Sequence, residues 1–191
     1  MKKILSLTLA LVVLSLSVFA LFSCGEDDGH YKKIGLSFYL TPGEFHESTY
    51  PDCDIAYTKI MRDENGNSQG IEAEFTVNAM SYQELEEATY NDMPDPWPTN
   101  VKDYIRNFVI VNGFSLKDYT YDEEKNIAQI KIDFEYPAEA GDRPDEYCHF
   151  VVMDNGEAIY FITYSCKQTL REKYEPIFDS WVSMLELDKV K

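Results

Sequence analysis

YCHFVVMDNGEAIYFITY, residues 147–164, reads as a β-hairpin with no face to give to water. Asn155-Gly156 is the dipeptide of a tight two-residue turn, which sets Cys148 across from Thr163 and Phe150 across from Phe161. Period-2 alternation then sorts the side chains. One face carries Cys148, Phe150, Val152, Ile159, Phe161 and Thr163; the other carries Tyr147, His149, Val151, Met153, Ala158, Tyr160, Ile162 and Tyr164. A strand apolar on both sides must be covered on both sides. The rest of the chain has to supply a layer above this hairpin and another below it.

Two amphipathic segments can do so. After the hairpin, Thr169-Leu-Arg-Glu172 has the spacing of a capping box, and Leu170, Tyr174, Ile177, Phe178, Trp181 and Leu185 fall on one helical stripe. Pro176 is expected to kink or restart that helix. Earlier, Thr99 or Asn100 can cap a helix whose Val101, Tyr104, Ile105, Phe108 and Val109 recur at helical spacing, closing near Asn112-Gly113. The segment Met93-Pro-Asp-Pro-Trp-Pro98 ahead of it excludes helix and inner strand.

The remaining segments alternate as strands. Ile34, Leu36, Phe38 and Leu40 lead into Thr41-Pro42-Gly43, and Ile55 to Met61 follows. Ile71, Ala73, Phe75, Val77 and Ala79 face one way, with Glu72, Glu74, Thr76 and Asn78 outward. Leu116 to Tyr121, a charged turn at Asp122 to Lys125, and Ala128, Ile130, Ile132, Phe134 and Tyr136 complete the set. The expected class is α+β: a three-layer α/β/α sandwich with a mainly antiparallel sheet, in one domain over residues 34–188.

This order, and above all Ala158-Ile-Tyr-Phe-Ile-Thr-Tyr164 followed by Tyr174-Glu-Pro-Ile-Phe-Asp-Ser-Trp-Val182, resembles the end of the PsbP-like and DcrB-like superfamily. That superfamily also contains bacterial lipoproteins and a nuclear-import accessory factor. The resemblance covers residues 34–187 and implies a binding or assembly accessory, not an enzyme. A shared fold does not transfer a role by itself.

The N-terminus carries an address. Met1-Lys2-Lys3 precedes an apolar run of 18 residues, Ile4 to Leu21, and no acid appears before Glu26. This is the charge order of a secretory signal. Leu21-Phe22-Ser23-Cys24 resembles the lipobox of bacterial lipoproteins, in which the cysteine sulfur receives a diacylglyceryl group and the preceding peptide is removed. The resemblance implies a signal peptide over 1–23, lipidation at Cys24, a polar tether over 24–33, and a body held at the extracytoplasmic face of a membrane. Two or more acyl chains anchor stably where one does not.

Charge narrows the partners. The chain has 17 basic and 34 acidic residues, net −17, and loss of Lys2 and Lys3 would leave 15 against 34. With no basic patch to displace counterions, nucleic acid is not an expected partner; an envelope protein is. Removing Cys24 leaves Cys53, Cys148 and Cys166, an odd set allowing one internal bridge at most. In the hairpin register Cys148 and Cys166 point to opposite faces, so those two cannot pair, while Cys53 with either stays open. No metal spacing of the C-x-x-C or H-x-x-x-H kind is present, and no cofactor is expected.

Candidate sites are sparse. Asp63, Asn65, Asn67 and Gln69 with Glu74 twelve positions along imitate a Ca²⁺ loop, but Ser68 stands where that loop needs glycine, and a polar hairpin turn explains the same letters. His46, Glu47, Asp52 and Cys53 share a loop, and a ligand-binding or hydrolytic lipoprotein would use it. Ser165 and Cys166 have no base nearby in sequence, and phosphate-binding glycine patterns are missing. The aromatic content, 14 Tyr, 11 Phe and 2 Trp, is the other lead. Tyr90, Trp97, Tyr119 and Tyr121, in or beside loops, are the candidate binding residues, since Tyr and Trp anchor interfaces at low entropic cost.

Overall fold

The computed structural model describes residues 28–87, 100–111, 113–115, 119–136 and 144–188. Within them a seven-stranded sheet, antiparallel at every pairing, runs in the order β3-β4-β5-β9-β8-β7-β6. Its strands are β3 (His46–Ser48), β4 (Ile55–Arg62), β5 (Ser68–Ser81), β6 (Tyr119–Asp122), β7 (Ile127–Phe134), β8 (Glu146–Asp154) and β9 (Ala158–Lys167). A second, three-stranded sheet joins β1 (His30–Lys33), β2 (Leu36–Tyr39) and β10 (Glu186–Leu187). The helices are α1 (Tyr82–Glu87), α2 (Val101–Val111) and α3 (Arg171–Ser183).

The β8–β9 hairpin is covered on both faces, as its composition demands. Val152 and Ile159 pack with Ala128, Ile130 and Ile132 against Leu85 of α1 and Val101, Tyr104, Ile105 and Val109 of α2. On the other face Tyr147, Val151, Met153, Tyr160, Ile162 and Tyr164 meet Tyr174, Phe178, Trp181 and Val182 of α3, together with Leu36 and Phe38 of the small sheet. The layers are therefore two helices, the main sheet, and α3 sharing its layer with β1-β2-β10. The α+β sandwich expected from the sequence is what forms.

Several details differ from expectation. The hairpin pairs Cys148 with Ser165 and Asp154 with Ile159, two residues out of the expected register, because the turn centres on Gly156-Glu157 instead of Asn155-Gly156. Asn155 Oδ1 accepts the Glu157 and Ala158 amides, which shifts the turn forward. A slip of two preserves both faces. The capping box at Thr169 does not form: Gln168–Leu170 make a 3₁₀ turn and no side chain caps α3. Pro176 lies inside a single continuous helix. The Glu172 carbonyl it deprives of a donor belongs to an exposed residue, where water can serve it.

At the start of the domain, residues 30–33, read as the end of a polar coil, form β1 and pair with β2. Ile34 is not a strand residue; with Gly35 it makes the two-residue turn between them, at φ 46° and 78°. His46–Ser48, read as loop, is a short edge strand opposite Thr58 to Ala56. Helix α1 is an addition, started by Ser81 and Glu84: the Glu84 amide donates to Ser81 Oγ at 3.1 Å and the Ser81 amide to Glu84 Oε2 at 2.8 Å. In α2 the expected Asn100 cap is in place, its Oδ1 accepting the Asp103 amide at 2.9 Å.

Gly29 closes the domain's N-terminal edge. Its carbonyl accepts the Leu40 amide at 2.9 Å, its φ is +78°, and a Cβ there would collide with the Leu40 carbonyl oxygen. Gly66, at the β4–β5 turn, has φ +82° but open space around it. Gly29→Ala is therefore expected to cost more than about 2 kcal/mol and Gly66→Ala about 1 kcal/mol, since only the first adds a steric clash to the left-handed backbone. Urea denaturation of the two variants compares them; equal losses would mean Gly29 is needed for its dihedrals alone.

Candidate functional site

Cys24, Tyr90 and Trp97 lie outside the described residues. Tyr119 and Tyr121 alternate on edge strand β6 and are half-buried, packed beside the core beneath α2. The Tyr121 hydroxyl donates to Asn126 Oδ1 at 3.0 Å and the Lys102 ammonium sits 5.6 Å from its ring centroid. Both rings thus take part in closing the β6–α2 edge.

The loop around His46 does not converge. His46 is exposed on β3 opposite Thr58, and Glu47 is paired with Lys33 at 2.6 Å. The Asp52 carbonyl is held by Asn78 Nδ2 at 3.1 Å. That is about four strand positions from His46, roughly 13 Å. Burial, reinforced by Glu74, Asp52 and Asp54, pushes the Cys53 thiol up, so it is a poor nucleophile. No disulfide involves Cys53, Cys148 or Cys166, and Cys148 and Cys166 face Ser165 and Tyr147 on opposite sides of the sheet.

The calcium-like stretch is a hairpin turn. Asp63 Oδ1 accepts the Asn65 and Asn67 amides at 2.9 and 2.8 Å, and Oδ2 accepts the Asn67 side chain at 3.0 Å. These bonds hold the Asp63 carboxyl below the usual carboxylate range and turn its oxygens inward. Among the described residues no group of three His, Cys, Asp or Glu side chains could hold a metal.

Two polar clusters went unseen in the sequence because they join distant strands. At β5 a bulge sets Ala73 opposite Lys59 and Ile71 opposite Ile60, leaving Glu72 as the extra residue. Glu72, expected outward, instead turns to α3: Lys173 Nζ donates at 2.6 Å and the Tyr174 hydroxyl at 2.7 Å, with Lys59 at 3.7 Å. Burial would raise this carboxyl, but these cations and the hydroxyl outweigh it and hold it low.

The second cluster lies under α3. His149, 1% exposed, has Nε2 2.7 Å from Gln129 Oε1, while Nδ1 has no hydrogen bond and lies 3.5 Å from Asp179 Oδ1. Lys131 from β7 ties Asp179 at 2.7 Å and Glu175 at 3.1 Å. Arg171 pairs with Asp133 and with Glu175. Burial, with Lys131 beside it, pushes the His149 imidazole down to about 4 against the pull of Asp179. The hydroxyls of Tyr147 and Tyr164 are also buried on this face without a hydrogen-bond partner among the described residues. The cluster ties α3 to the sheet, and a small cavity of about 250 Å³ is lined by its Gln129 and Asp179 but not by His149.

A groove of about 680 Å³ lies where the β6–β7 and β8–β9 turns meet the end of α3 and β10. Its floor is Ile127, Met153, Leu185 and Leu187, and its rim carries Glu124, Asp154, Glu186 and Asp188 with one cation, Lys125. A second cleft of about 590 Å³ lies along β5 and β9, reaching Ser165 and Cys166, whose thiol burial pushes up to about 12. Neither includes His46, Asp52 or Cys53.

No family model matches the chain, and no curated protein matches it. Solved structures do. The Ran-binding protein Mog1p of Saccharomyces cerevisiae aligns at 8% identity over 86% of this chain and 97% of its own, with a TM-score of 0.50. PsbP (CyanoP) of Synechocystis sp. PCC 6803 aligns at 14% identity over 86% and 97%, TM-score 0.48. A Bacteroides thetaiotaomicron structure aligns at 10% identity with a TM-score of 0.48 over 84% of this chain and 48% of its own, so the chain spans about half its length. The likeness to Mog1p is one of fold.

His149 makes a pH prediction. Its folded pKa, about 4, lies below the ordinary 6.5, so the unfolded chain binds the proton first. The stabilisation from keeping it neutral is complete above pH 6.5 and is lost as pH falls towards 4, roughly 3 kcal/mol in all. Urea denaturation across that window should show this slope, and His149→Gln should flatten it; an unchanged slope would show that other groups carry it.

Proposed function

We propose that the chain is an exported lipoprotein, held by acyl chains on Cys24 at the extracytoplasmic face of a bacterial membrane, whose domain binds another envelope protein or assists its assembly and catalyses no reaction. One observation carries the binding half of this reading: the domain has the fold of a Ran-binding protein, Mog1p. Placement of its own reactive side chains agrees. His149 is buried and neutral, Asp63 serves a turn, Cys148 and Cys166 are buried, and His46 stands apart from Asp52.

The anchoring half rests on the lipobox-like Leu21 to Cys24. No helix among the described residues is long and apolar enough to cross a membrane. Because Gly29 is bonded to Leu40 and β1 begins at His30, residues 24–28 are the whole tether, about 17 Å when extended. That exceeds the screening length of about 8 Å at physiological salt, enough to keep a processed chain with 15 basic against 34 acidic residues, net −19, off an anionic bilayer.

Intact-mass measurement of protein from its native host should find residues 1–23 removed and a diacylglyceryl group on Cys24. Cys24→Ser should retain the signal, leave the melting temperature of the domain unchanged, and lose the lipid. A wild-type protein with Met1 intact and a free thiol at Cys24 would overturn the anchor and leave the binding reading to be judged on its own.

A further inference from the structure

We infer that the groove at the β6–β7 and β8–β9 turns is the docking surface of this domain, and that its occupant is a partner-protein segment presenting lysine or arginine beside apolar residues. The inference rests on the protein-binding reading above and names the surface and the chemistry of the partner.

The groove combines two features a basic segment needs. Ile127, Met153, Leu185 and Leu187 offer an apolar floor to the aliphatic stem of a lysine or arginine and to its neighbours. Above it, carboxylates stand ready for the cationic head. Their commitments differ. Asp188 is paired with Lys32 at 2.7 Å, and Asp154 accepts the Tyr82 hydroxyl at 2.6 Å. Glu124 and Glu186 have no ion-pair partner among the described residues. The rim therefore carries unneutralised negative charge in a concave site, where the field of the surrounding acids is focused.

The Ile34-Gly35 turn adds an apolar contact at this edge. The Asp188 amide donates to the Gly35 carbonyl at 2.8 Å, and the Tyr160 hydroxyl donates to the Ile34 carbonyl at 2.8 Å while lying 3.4 Å from Asn155 Nδ2. Asp188 and Asn155 both line the groove, so the turn is fastened to its wall. Ile34 is β-branched, has φ 46°, and is 47% exposed. A left-handed conformation is costly for such a side chain, and here it holds an apolar group in solvent.

The test measures binding of a fluorescein-labelled heptapeptide of alternating lysine and leucine to the full chain in nonionic micelles, with empty micelles as reference. Glu124→Gln/Glu186→Gln should weaken binding by on the order of tenfold. Glu64→Gln/Glu135→Gln, which removes the same charge elsewhere, should change it less than about twofold. Ile34→Asn should weaken binding while raising the melting temperature, because asparagine tolerates the left-handed turn; this separates docking from folding. Equal weakening by the two double variants would reduce the effect to net charge and overturn the inference. So would displacement of the peptide by 1 mM Ca²⁺ at constant ionic strength (an order-of-magnitude choice near weak-site affinity), which would make the groove a cation site, or occlusion of the groove in a dimer. A photo-crosslinker placed at Ser183 and another at Glu64 distinguish the two levels: a native partner captured only from Glu64 would sink the groove and leave the binding reading standing.

Discussion

Tyr164 is where the layers of this protein meet. Its ring centroid lies 4.8 Å from Phe75 on the next strand, 5.5 Å from Phe178 and 5.7 Å from Trp181 on α3. Phe75 in turn lies 4.6 Å from Phe38 of the small sheet. One chain of aromatic contacts thus ties β9, β5, α3 and β2, with Phe45 closing on Trp181 at 5.5 Å. Aromatic pairs of this spacing each add about 0.5–1.5 kcal/mol beyond the area they bury. Because β8 and β9 are apolar on both faces, neither helical layer is optional; removal of either would expose the centre of the sheet.

Charge is arranged around this core in a way that separates structure from surface. Lys131, Arg171, Lys173 and Lys59 are spent on carboxylates at the rim of α3: Glu175, Asp179, Asp133, Glu72 and Glu44. The more exposed of these pairs, such as Lys131–Asp179, are individually weak, while Lys59 and Glu72 are largely buried; together they set how α3 lies over His149 and the β7–β9 strands. With so many cations used along α3, the groove where the end of that helix meets the two hairpin turns is acid-rich. Among the described residues, acids without a cationic partner, Glu124 and Glu186, therefore gather at a groove.

Legibility of the site followed from sequence distance. Asp63 to Gln69 is legible as a turn in the sequence because its hydrogen bonds are local. Ser81-x-x-Glu84 is a local signal for α1 of the same kind. By contrast, His149 with Gln129, Lys131 and Asp179 brings together β8, β7 and α3, and the groove collects residues from 124 to 188. No spacing rule in one dimension can bring those together, since the contacts depend on the order of strands in the sheet.

Alternation and helical periodicity by themselves determined which residues face the core, that the hairpin must be covered twice, and hence the α+β sandwich; side-chain direction along a strand or helix is a local property of the backbone. Tertiary structure alone decided the rest. Turn hydrogen bonds moved the β8–β9 register by two, a bulge turned Glu72 inward, β1 and β10 assembled on β2 from opposite ends of the domain, and the turns converged into an acid-rimmed groove. Each of these is a competition between pairings of nearly equal local energy, and only contact with a distant part of the chain breaks the tie.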